Sequence, residues 1–96
     1  MQIYKQTIAI EPENINVLKR VEVPGELVSI QKQYNNLSLY FISNPHITNI
    51  YEILLAETGA DIKITPYIDY KHMGTFMFYN DTYVLHAFAA FVESIR

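Results

Sequence analysis

The strongest periodic signal in this 96-residue chain is ELVSIQKQYNNLSLYFISNP, residues 26 to 45, where apolar and polar positions alternate on either side of Asn35-Asn36. A period of two marks a strand with one buried face, and paired asparagines tolerate the positive φ angles of a two-residue hairpin turn. With Asn35 and Asn36 as the loop, Tyr34 opposes Leu37, Lys32 opposes Leu39 and Ile30 opposes Phe41. One face then gathers Val28, Ile30, Tyr34, Leu37, Leu39 and Phe41, interrupted by Lys32. Ser29, Gln31, Gln33 and Ser38 occupy the other.

A second hairpin is predicted in GTFMFYNDTYVLHAFAAF, residues 74 to 91, the most apolar and aromatic stretch of the chain. An Asn80-Asp81 loop sets Tyr79 against Thr82, Met77 against Val84, Thr75 against His86 and Met73 against Phe88 on one face. Phe76, Phe78, Tyr83 and Leu85 fill the other face. Both faces are apolar, so this hairpin is expected to be central and covered on both sides, or covered by a partner chain. A buried imidazole with an unpaired nitrogen costs on the order of 1–3 kcal/mol, which a neighbouring hydroxyl relieves. Thr75 and His86 therefore read first as a structural pair, with a catalytic or ligand-binding His86 as the competing reading.

Elsewhere, QIYKQTIAI and NVLKRVEV read as strands joined by the turn EPEN, and Pro24-Gly25 makes the next turn. The segment ITNIYEILLAETGADI is ambiguous. Ile47, Ile50, Tyr51, Leu54 and Leu55 have helical spacing, with Asn49 as a cap and Gly59 as a stop, yet Ile50 to Leu55 also suits a buried strand. Around the closing AAFVESIR, Phe88, Phe91, Val92 and Ile95 have helical spacing, so a short C-terminal helix stands beside a strand there. The expected fold is mainly β: one domain over residues 1–96, an antiparallel sheet or partly open barrel of about six strands.

Composition narrows the function. Half of the residues are apolar and 18% charged, the balance of a compact globular chain. With no cysteine there is no disulfide, thiolate metal site or cysteine nucleophile. The N-terminal residues lack a signal-peptide pattern and the run ILLA is too short to span a bilayer, so a soluble cytoplasmic protein is expected. The formal charge of −3, with basic residues scattered apart from Lys19-Arg20, argues against polymeric nucleic acid. His46, His72 and His86 lack metal-ligand spacing, Gly25, Gly59 and Gly74 stand singly, and no serine or carboxylate falls in a catalytic pattern. No catalytic residue, metal or cofactor is assigned.

Tyrosine is the unusual residue, with eight copies and no tryptophan. Tyr67, Tyr70, Tyr79 and Tyr83 cluster around YIDYKH and the second hairpin, and with Lys71 and His72 they form the candidate binding residues. Covering a small core is the competing role for these rings. Tyrosine stacking with Lys63, Lys71 or Lys19-Arg20 on phosphates would suit a small nucleotide. Open sheet edges point to a homo-oligomer.

The order of IYK at 3–5, NP at 44–45, TG at 58–59, MGTF at 73–76 and VLHAF at 84–88 resembles a family of small uncharacterised phage- and prophage-encoded β proteins. Members of that family begin with an IYKY-type strand and close with GTF and a WHVF-type strand. Here Leu85 replaces the tryptophan, Glu57 replaces the first glycine of a GTG element, and residues 60–72 differ. The resemblance implies a strand over 50–56 and a phage accessory origin. From it follows the expectation of a non-enzymatic protein that inhibits a bacterial antiviral defence component through a tyrosine-rich β surface. The alternative is an oligomeric sponge for a nucleotide immune signal, with a small hydrolase using His86 as a third reading.

Overall fold

The computed structural model describes residues 1–95, and they form seven strands and one 3-10 turn. The strands are β1 (Ile3–Ala9), β2 (Leu18–Val23), β3 (Gly25–Gln33), β4 (Asn36–Ser43), β5 (Thr48–Glu57), β6 (Lys71–Phe78) and β7 (Tyr83–Ile95), with the turn at Pro12–Asn14. Every pairing is antiparallel. One sheet has the order β1-β4-β3, the other β2-β5-β7-β6, so the chain builds two separate sheets rather than a closed barrel.

The sheets share one core. Ile30, Leu37, Leu39 and Phe41 from the three-stranded sheet meet Tyr51, Ile53, Leu55, Phe78, Leu85 and Ala87 from the other. Several of these are fully buried, among them Leu39, Leu55, Phe78 and Leu85. Fully burying such a side chain contributes roughly 1.5–3 kcal/mol, so the alternating faces read from sequence supply the main cohesion between the sheets.

The first hairpin forms with its loop one residue earlier than the asparagine pair suggested. Tyr34 and Asn35 make the turn, Gln33 pairs with Asn36, and Ile30 faces Leu39. Moving the partner from Phe41 to Leu39 keeps Ile30, Leu37, Leu39 and Phe41 on one face, because a shift of two residues preserves side-chain parity. The turn places Tyr34 at φ 55 and 87% exposed, outside the core face assigned to it. Val28 also leaves that face: the register shifts between Leu27 and Ser29, so Val28 lies in a bulge and is exposed.

The second hairpin keeps the predicted register from Phe78↔Tyr83 to Gly74↔Ala87, including Thr75 opposite His86. Its loop is longer than two residues, running from Tyr79 to Thr82, with Tyr79, Asn80 and Asp81 all at positive φ. A register shift between His72 and Gly74 puts His72, not Met73, opposite Phe88. Of its two strands only β7 is central; β6 is an edge. Residues 50–56 lie within β5, which settles the strand reading, and β7 continues to Ile95 where a short helix was the other expectation. Arg96 lies outside the described residues.

Pro24 alone connects β2 in one sheet to β3 in the other, so the chain changes sheets in a single residue. The switch is held by the Asn44 N–H, which donates to the Pro24 carbonyl at 2.8 Å. It also requires glycine next. Gly25 has φ 142, and a Cβ there would stand 1.8 Å from the Ile42 carbonyl oxygen. Because backbone must move to admit a methyl group, Gly25→Ala is expected to lower stability by about 3 kcal/mol. Urea unfolding at equilibrium measures this, and a loss below about 1 kcal/mol would contradict the close approach.

Candidate functional site

The two sheets part at the end where β3 begins and β7 finishes, leaving an open cleft of about 660 Å³. Its apolar walls are Leu27, Ile42, Ile47, Tyr51 and Phe91, and Ser43, Asn44 and Asn49 supply polar groups at its margin. A volume of this size with mostly apolar walls and a few convergent polar groups suits a bound small molecule or an inserted side chain. A second hollow of about 190 Å³ shares Leu27, Tyr51 and Phe91 with it and extends toward Asp69 and Lys71.

Two residues hold the cleft in shape. Tyr51 is buried, and its hydroxyl accepts from the Leu27 N–H at 3.0 Å, which ties β3 to the opposite sheet. Its ring meets Phe91 edge-on, with centroids 5.8 Å apart and planes at 76°. Asn49 donates from its side-chain amide to the Gly25 carbonyl and accepts from the Ser94 hydroxyl at 2.8 Å. The amide that resembled a helix cap in the sequence thus joins the start of β3 to the end of β7. Phe91 remains 54% exposed at the mouth.

On the far side of the four-stranded sheet, residues 58–70 cross the face that β5 and β7 would otherwise leave open. They are pinned to Glu52, a carboxylate only 2% exposed. Tyr70 donates its hydroxyl to Glu52 and accepts from the Thr65 N–H at 3.1 Å. The Thr65 hydroxyl lies 3.1 and 3.0 Å from the two carboxylate oxygens, and Arg20 stands 3.4 Å away. A buried carboxylate is tolerable only when its lone pairs are satisfied, and among the described residues no buried side-chain polar atom lacks a partner. Nothing in the local pattern around Glu52 announced this, because its partners lie 13 and 18 residues later.

The model of a domain family of unknown function, DUF7352, matches residues 1–94. The chain belongs to that family. No curated protein and no solved structure matches it.

Within this DUF7352 domain the candidate binding residues do not form one surface. Tyr79 and Tyr83 come together at the hairpin end, ring centroids 6.2 Å apart. Tyr70 is turned inward to Glu52 and Tyr67 is fully exposed on the crossing segment. Lys71 and His72 begin β6, at the opposite end of that strand from Tyr79, about 25 Å away by strand rise. Lys71 lines the small hollow beside the cleft.

His86 of the DUF7352 domain is half-buried on the outer face rather than in the core. Its Nδ1 shares a hydrogen bond with the Thr75 hydroxyl at 2.9 Å and its Nε2 with the Thr58 hydroxyl at 2.8 Å. His72 Nε2 reaches the same Thr75 oxygen at 3.1 Å. Both imidazole nitrogens of His86 are therefore satisfied, and the chain of hydroxyls and rings ties the crossing segment to β6 and β7. No cluster of three or more metal-ligating side chains occurs among the described residues, and no helix there is long and apolar enough to cross a membrane.

Tyr70→Phe removes the donor to a buried carboxylate, so it is expected to cost about 1.5–3 kcal/mol, read by urea unfolding, with residues 58–70 losing amide protection first. The Tyr83 phenol is pushed up to about 12, by burial first and then by the neighbouring Glu57 carboxylate. A raised phenol pKa means that the unfolded chain ionises first. Stability from this group is therefore complete below about pH 10 and lost as pH rises toward 12. Tyr83→Phe is expected to flatten the stability profile across that window, and an unchanged slope would assign the loss to other groups.

Proposed function

We propose that this protein is a non-enzymatic binding module that takes an apolar group of a protein partner into the cleft between its sheets. What carries the reading is Phe91, half exposed at the mouth of the cleft and packed edge-on against buried Tyr51. An aromatic anchor beside a concave apolar site is the arrangement that concentrates binding energy in protein interfaces. The wall residues are held by the Tyr51–Leu27 and Asn49–Gly25 bonds, so little ordering cost is added on binding.

In the phage setting that the sequence resemblance suggests, the partner is a component of a bacterial antiviral defence and the protein inhibits it by occupancy, within the host cytoplasm. The nucleotide sponge is the weaker reading. Glu26 is the charged residue in the lining of the cleft, and a carboxylate opposes a phosphate.

Phe91→Glu tests the reading. In affinity capture from bacteria carrying active antiviral defences, the native protein is expected to retain a stoichiometric protein partner that the variant loses, with the two melting within a few degrees of each other. Retention of the same partner by both would sink the cleft as the contact site. A thermal shift across a nucleotide panel is expected to be flat; a shift of several degrees, which a ligand specific to the folded state produces, would favour the sponge instead.

A further inference from the structure

The strand β7 outruns its neighbour. β6 pairs with it only as far as Lys71↔Ala89, while β5 accompanies it to Thr48↔Ile95. Beyond Ala89 the chain that precedes β6 leaves the sheet edge, drawn across the outer face by the bond from Tyr70 to Glu52. Phe91, Glu93, Ser94 and Ile95 are therefore paired on one side only among the described residues, Val92 lies in the bulge between Tyr51↔Phe91 and Ile50↔Glu93, and all of the stretch but Val92 is exposed. A strand edge carries amide and carbonyl groups that alternate in direction. This stretch thus presents an unfilled ladder in line with β6.

This stretch begins at the cleft. Phe91 lines it, and Ser94 is bonded to Asn49 in its wall. A strand laid along this edge would continue the line of β6 and send alternate side chains inward over Phe91 and Leu27. Among the described residues, the exposed charged side chains on this edge or lining the two hollows are Glu26, Asp69 and Glu93 against Lys71, an acidic excess.

We infer that the unpaired edge of β7, Phe91 to Ile95, is a strand-addition site for an extended basic segment of a partner protein, whose apolar side chains enter the cleft. Main-chain bonds supply affinity in this mode and alternate side-chain pockets supply selectivity. A second copy of the chain is the less suitable occupant. Antiparallel self-pairing centred on this stretch sets Glu93 against its own counterpart, and like charges directly opposite are destabilising. The inference rests on the proposed binding role of the cleft and adds the chemistry and backbone geometry of what fills it.

The test is an NMR titration of the full chain with the peptide Lys-Val-Lys-Phe-Lys-Val-Lys, beside two controls: the same peptide N-methylated at alternate residues, and Glu-Val-Glu-Phe-Glu-Val-Glu. Expected are saturable shifts at the amides of Phe91 to Ile95 and at Leu27, with both controls binding at least about tenfold weaker. Equal binding of the N-methylated peptide overturns strand addition while leaving the cleft as a binding site. No saturable binding, or shifts confined to the β1 edge, also overturns it. Concentration-dependent shifts at Phe91 to Ile95 without peptide overturn it in favour of a second copy. Failure of the cleft itself is read separately, from Phe91→Glu retaining the partner.

Discussion

The arrangement depends on a pair of strands that is apolar on both faces. Ile53, Leu55, Leu85 and Ala87 point one way from β5 and β7, and Leu54, Ala56 and Ala90 point the other, all buried. A sheet with two apolar faces cannot leave either in water. The three-stranded sheet covers one. The other is covered by residues 58–70, which form no strand and hold position through the buried carboxylate of Glu52. A single acidic side chain thus converts an irregular segment into the second layer of the domain.

That pinning has a consequence at the sheet edge. Because Tyr70 is committed to Glu52, the chain enters β6 late and, among the described residues, the last residues of β7 have no neighbour on that side. The opening between the sheets lies at the same end, where Pro24 and Gly25 carry the chain from one sheet to the other. Covering the outer face and exposing an edge beside the cleft are two effects of one path taken by one segment.

The histidine line shows the same economy of contacts. His86 uses both ring nitrogens on threonine hydroxyls from two different parts of the chain, Thr75 on β6 and Thr58 at the start of the crossing segment. A group that satisfies its own polarity in this way fastens the segment to the sheet. The tyrosines divide between such fastening, as with Tyr70, and open solvent, as with Tyr67.

Alternation along the chain determined the β class, the two hairpins and which residues of Ile30, Leu37, Leu39 and Phe41 face inward, because a period of two is a local property of a strand and survives a loop displaced by one residue. It also placed Thr75 opposite His86, since the loop length between them leaves that pairing unchanged. The bulges at Val28 and Met73 were not legible: an extra residue in a ladder depends on what the neighbouring strand requires. The division into two sheets, the cleft between Gly25 and Phe91 and the Glu52 cradle were decided only in three dimensions. Each joins residues far apart in the chain, Asn49 with Gly25 and Ser94, and Glu52 with Arg20 and Tyr70, and no spacing rule along the sequence encodes such contacts.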